Sequence, residues 1–202
     1  MHPVDSITVY VVMVIFIATL IRSTLGFGEA LFSVPLLALR IPVSVAAPLA
    51  VMVSILVAAV IVAQDWQRID LRSAGGLIAA SLVGIPAGIL LLATVNDHAV
   101  RLTLGVIIVL FSTYSLTSGT RSSLPGSPFA WLVTCGFFAG VLGGAYGMNG
   151  PPLAIYGSFR KWPPQQFRAT LQGYFLPASV VGLAGYAAIG LWRPEIGRYF
   201  LC

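Results

Sequence analysis

LGGAYGMNGPPLAIYG, residues 142 to 157, gathers Gly143, Gly144, Gly147, Gly150, Pro151 and Pro152 around the amide Asn149. No charge occurs from Ser122 to Phe159, which places this stretch at membrane depth. A helix interrupted there exposes backbone N–H and C=O groups, and each one facing lipid costs several kcal/mol. Non-helical backbone survives at that depth only when it is enclosed by protein or lines a watery cavity. The stretch therefore predicts a bundle of membrane helices in which a span is broken around an enclosed space.

Composition supports the bundle. Of the 202 residues, 58% are hydrophobic and 8% charged, and the mean hydropathy is +0.95. Soluble domains carry about 25% charged residues, so a soluble chain of this kind would lack a solvated surface. The fold class is all-α, polytopic and membrane-embedded. MHPVDSITVY at the N-terminus has no Lys or Arg ahead of its apolar run and no small-residue cleavage site, so the first helix is expected to remain as a span. Cys135 and Cys202 suggest neither a disulfide framework nor a metal site. The net charge of +5 comes from basic residues scattered over the connectors, a pattern that suits lipid headgroups and argues against nucleic acid.

Spanning about 30 Å of hydrocarbon takes roughly 20 apolar helical residues. Uncharged runs place spans over residues 6–21, 41–64, 73–96, 102–120, within 122–159, and 169–192. Trp66, Trp162 and Trp192 fall at interfacial depth. Lys and Arg divide evenly between alternate connectors of these six spans, so no orientation follows. Two runs exceed one helix. Residues 6–40 and 129–160 each hold a full span and a further short apolar helix, split by a glycine-rich segment. The first of these segments lies in STLGFGEALFSVPLLALR (23–40), the second in the stretch quoted above.

Gly26 lies 121 positions before Gly147, and the same offset pairs Phe16 with Phe137, Ala18 with Ala139, Arg40 with Lys161 and Pro42 with Pro163. Together with the matching breaks, this predicts two internal repeats, residues 1–120 and 121–202. At that offset Cys202 corresponds to Ser81, so the second repeat reads as incomplete. Either the chain is truncated there, or another subunit of a homo-oligomer supplies the wall that its last spans leave open.

Paired breaks in corresponding positions are the best sequence pointer to a transporter's binding site. Short helices beginning near Ala30 and Pro151 would aim free N–H groups and positive dipole ends at an anion. Proline suits a first helical turn, where its missing N–H would be unpaired anyway. Gly136, Gly140 and Gly144 recur at four-residue spacing, as close helix packing requires, whereas Gly147, Asn149 and Gly150 beside two prolines read as cavity. Glu29 in GFGEAL has no charge nearer than Arg22. An intramembrane acid suggests function, here a coupling proton or a coordinated cation; a buried pair with Arg22 or a wet interface would equally account for it. Arg168 opens FRATLQGYFLPASVVGLAGY and reads either as an attractor at the cavity mouth or as a headgroup anchor. Thr170, Gln172 and Tyr174 follow it as polar groups able to line a cavity.

GAYGMNGPPLAIYG with FRATLQGYF resembles the second-half signature of the TauE/SafE sulfite exporter family, and LGFGEALFSVPLLAL resembles the first-half signature. The likeness runs from about residue 8 to about residue 195. It implies a multi-pass permease of the cell inner membrane, with two repeats, that moves small sulfur-containing or organic anions. It places the functional positions at Gly26, Gly28, Gly147, Gly150, Pro151 and Arg168. Glu29 and Asn149 stand where the family usually has glycine.

The resulting expectation is a secondary transporter for a small anion such as sulfite or a sulfonate. Its binding residues are Gly26, Phe27, Gly28, Gly147, Asn149, Gly150, Pro151, Arg168 and Thr170, and Glu29 couples. Its partners are the anion and the lipid bilayer, with no cofactor. A passive anion channel would use the same cradle, and a non-transporting remnant would fit the short second repeat. An enzyme would need a nucleophile, a metal cluster or a carboxylate pair, and the embedded segments offer one Cys, one acid and no His.

Overall fold

The computed structural model describes residues 6–117 and 127–191. The described segments form eight helices: α1 (Ser6–Leu25), α2 (Glu29–Ala38), α3 (Val43–Asp65), α4 (Leu71–Thr94), α5 (Asp97–Thr117), α6 (Pro128–Tyr146), α7 (Gly150–Phe159) and α8 (Pro164–Ala188). A short 3-10 turn, Trp66–Arg68, extends α3. Among the described residues, five helices (α1, α3 with its turn, α4, α5 and α6) are long and apolar enough to cross a membrane. The chain is an all-α, multi-pass membrane protein. Helix α8 has 25 residues, but Thr170, Gln172, Tyr174 and Ser179 lower its hydropathy. All four are buried, as polar groups in a bundle within lipid should be.

Two hairpins organise the bundle. Gly26 and Gly28 both take positive φ, +84° and +100°, which ends α1 and turns the chain back on itself. Helix α2 then runs beside α1 in the opposite sense. The Tyr10 hydroxyl donates to the Leu36 carbonyl at 2.8 Å, and the Arg40 guanidinium lies over the Tyr10 ring. Gly147, at φ +69°, ends α6 in the same left-handed way, its N–H donating to the Gly143 carbonyl at 2.9 Å. Pro151 and Pro152 start α7, which returns along α6 until the Phe159 ring meets Trp131. The two hairpins point in opposite directions. The C-terminal end of α1 lies beside Arg168 near the start of α8, and the end of α7 lies beside Asp70 just before α4.

Helices α4 and α6 run parallel and touch along most of their length. Gly84 and Gly88 of α4 face Gly140 and Val141 of α6, while Gly136 and Gly144 face Leu77 and Ile85. Lipid gives no hydrophobic driving force between helices, so backbone approach through small residues supplies the attraction. The four-residue glycine spacing is therefore a packing face, as its period suggests. Helix α5 is peripheral, with only Val100 and Leu104 buried. Arg101 holds it, donating to the Ala38 carbonyl, as does Asp97, which accepts from Val43 N–H at 3.2 Å. Large apolar side chains on the outer faces, such as Met13, Phe16 and Leu20 of α1 and Val106, Val109 and Leu110 of α5, are what a lipid-facing surface requires.

Candidate functional site

The two interruptions meet. Phe27, Gly28 and Glu29 from the first line one chamber with Gly147, Asn149, Gly150 and Pro151 from the second. Contact is direct: a Cβ placed on Gly150 would sit 3.1 Å from the Phe27 ring. Helices α2 and α7 begin at Glu29 and Gly150, and neither start carries a side-chain cap. The Glu29, Ala30 and Leu31 amides of α2 are thus left for another partner, whereas Pro151 and Pro152 carry no N–H and leave α7 with that of Gly150. Both starts are positive dipole ends. The Asn149 amide packs against Gly143, where any Cβ would be 2.7 Å from it.

A buried cation completes the chamber. Arg22, 3% exposed, forms an ion pair with Glu29, also 3% exposed. Its Nη1 also donates to Ser54 Oγ of α3 at 2.7 Å, and its Nη2 to Gln172 Oε1 of α8 at 2.6 Å. Gln172 Nε2 in turn donates to the Gly26 carbonyl at 2.7 Å. One guanidinium thereby ties the broken end of α1 to α2, α3 and α8. The Phe175 ring lies 5.0 Å from the guanidinium carbon, within cation–π range. Arg22 Nε is buried with no hydrogen-bond partner in the protein. Among the described residues, no His, Cys, Asp and Glu side chains group in a way that would hold a metal ion.

Gly26, Arg168 and Thr170 lie one layer outside the chamber. The Arg168 stem covers Gly26, whose missing Cβ would be 2.8 Å from Arg168 Cγ, and its guanidinium bonds Asp65 at 2.6 Å. Thr170 Oγ1 accepts from Asp70 N–H at 3.0 Å, linking α8 to the start of α4. Burial pushes the Asp70 carboxyl up, but hydrogen bonds from Ser73 and the nearby Arg160 charge outweigh it and hold the group below the usual aspartate range.

Ser54 and Phe175 line the chamber without standing out in the sequence, where Arg22 figures only as one possible partner of Glu29. Reading spans by where charges stop ends the first one before Arg22, whereas α1 continues to Leu25 with Arg22 inside. The signal is an Arg and a Glu seven residues apart in otherwise uncharged sequence, since each can neutralise the other. The chamber offers about 20 Å³ to water-sized molecules, and one water needs about 10–15 Å³. The space as it stands is thus of the order of one water.

Helices interrupted in pairs, facing one another across a shared polar site, are the build of a membrane transporter. The family model described as sulfite exporter TauE/SafE matches residues 11–202. The chain belongs to that family of membrane transporters. No curated protein and no solved structure matches it.

Proposed function

We propose that this chain is a secondary transporter of the cell inner membrane that moves a small organic or sulfur-containing anion, such as sulfite or a sulfonate. The anion binds between the two breaks, and Glu29 couples its movement to a proton. The observation that carries this reading is the meeting of two uncapped helix starts and a buried arginine in one chamber. The first-turn amides of α2, the Gly150 N–H and a guanidinium are strong donors to an oxyanion and no help to a cation. The opposed hairpins support a division into two inverted units, 1–120 and 121–202, with the site at their junction, as in other repeat transporters. Helix α3 supplies Ser54 to it and α8 supplies Gln172 and Phe175. Gly26, Arg168 and Thr170 hold the rim in place.

A channel keeps a continuous wet path, while a carrier closes between exposures. Reconstitution into liposomes tests both. Sulfite, methanesulfonate and acetate are offered with and without a pH gradient, then as counterflow against the same anion inside. Saturable uptake with counterflow is expected. No anion movement above that of empty liposomes rejects the transporter, and conductance without counterflow rejects the carrier.

A further inference from the structure

We infer that Arg22 is the group that binds the substrate anion, that Glu29 occupies its guanidinium while the site is empty, and that each anion enters with one proton taken by Glu29. This rests on the transport reading above and assigns the parts of its site.

The Glu29 carboxylate is an oxyanion held on a guanidinium, the arrangement a sulfonate or carboxylate substrate would adopt. Arg22 Nη1 is shared between Glu29 and Ser54, Nη2 is held by Gln172, and Nε is buried and unused. The donor set thus exceeds what its present acceptors use.

Charge decides the stoichiometry. Arg22 and Glu29 together are neutral, and both are almost wholly enclosed. Adding a monoanion leaves one uncompensated negative charge in a site where an unpaired ion costs several kcal/mol. Neutrality returns if one proton from solution adds to a Glu29 carboxylate oxygen. Glu29 is then a neutral acid that releases Nη1, and Arg22 pairs with the anion. On the far side anion and proton leave together and the Arg22–Glu29 pair re-forms. No other bond is made or broken.

Among the described residues, no second ionisable side chain lines the chamber to offer this compensation. Ser54 of α3, Phe175 of α8 and Asn149 and Pro151 of the second break are its other walls. Tyr146, Tyr174 and Tyr186 are not among them. The charges packed against the outside of the break, Arg168 and Asp65, already pair with each other. For a monoanion the combined movement is electroneutral, so flux follows the anion and proton gradients and ignores membrane potential.

Methanesulfonate is the probe, because it keeps one charge across the pH range whereas sulfite changes charge near neutrality. In proteoliposomes of the full chain, acid outside should accelerate uptake about tenfold, and a potassium diffusion potential should leave the rate unchanged. E29Q, which imitates the protonated acid, should lose the acid stimulation and carry net negative charge, so that its flux follows the potential. R22K should raise KM about tenfold. Should the variants fail to fold, calorimetric titration of the wild-type protein in two buffers of different protonation heat counts protons directly, one per anion being expected. Anion binding without proton uptake, wild-type flux that tracks the potential, or an E29Q variant still stimulated by acid would each overturn the inference while leaving a transporter. Absence of both binding and flux for every anion in the wild type removes the transporter itself.

Discussion

Gly88 of α4 and Val141 of α6 stand so close that a Cβ on the glycine would collide with the valine carbonyl oxygen. Gly84 meets the Phe137 carbonyl in the same way, one turn earlier. Backbone cannot retreat as a flexible side chain can, so G84A or G88A should part the two helices. Overpacking of this kind costs about 1–3 kcal/mol. Gly75 and Gly105 lie in helices with open space where a Cβ would go, and alanine there should leave stability equal or slightly higher. Melting of the four variants in detergent separates the groups, and equal losses at all four positions would contradict the seam.

The Arg22–Glu29 pair should behave unlike the pair at the rim. R22Q leaves a buried carboxylate without its partner, a loss of about 3–5 kcal/mol. Removing the second charge as well, in R22Q/E29Q, should recover a large part of that loss. Arg168 and Asp65 are wetter, with side chains 36% and 15% exposed, so D65N should cost at most about 1 kcal/mol. A thermal series over the four proteins checks the order, and R22Q melting with wild type would exclude a buried pair.

Asp70 caps α4, its side chain accepting from Ser73 N–H at 3.2 Å and from the Ser73 hydroxyl at 2.8 Å. D70A should cost about 1 kcal/mol, and D70N less, because the amide oxygen still accepts. The carboxyl is held below its ordinary value of 3.8, so its ionised form is the one the fold favours. Its contribution is complete above that value and is lost as pH falls through the lower folded one. The D70A deficit should therefore be constant from neutral pH down to about pH 5 and shrink only in stronger acid. A deficit that changes near neutrality would assign the effect to another group.

Orientation becomes readable once the second hairpin is in place. Because α7 turns back, Arg160 lies 4.0 Å from Asp70 and Arg168 bonds Asp65. The connector after α7 thus shares an end of the bundle with the connector after α3. Among the described residues, Arg68, Arg72, Arg160, Lys161 and Arg168 gather at that end, against Arg40 and Arg101 at the other. Cytoplasmic connectors carry the excess of Lys and Arg, so the richer end should face the cytoplasm. In a C202S background, an impermeant maleimide added to intact cells should label H98C and spare Q67C, both sites being exposed. The reverse pattern would invert the assignment.

The sequence by itself determined the class of the protein, the two places where helices break, and where they restart. Helices α2 and α7 begin within one residue of the expected Ala30 and Pro151. These are local matters: hydropathy over a span, a glycine free to take positive φ, a proline without an N–H. The face of Gly136, Gly140 and Gly144 was legible for the same reason, since helical period alone sets it. Tertiary structure decided that the hairpins run in opposite senses, which gathers the basic residues at one end, and that Arg22 lies inside the bundle. It also decided that Arg22 bonds Gln172, 150 residues away. A charge in a membrane span is tolerable only where partners close around it, and those partners come from three other helices. That closure depends on how the helices pack, and no window of neighbouring residues contains it.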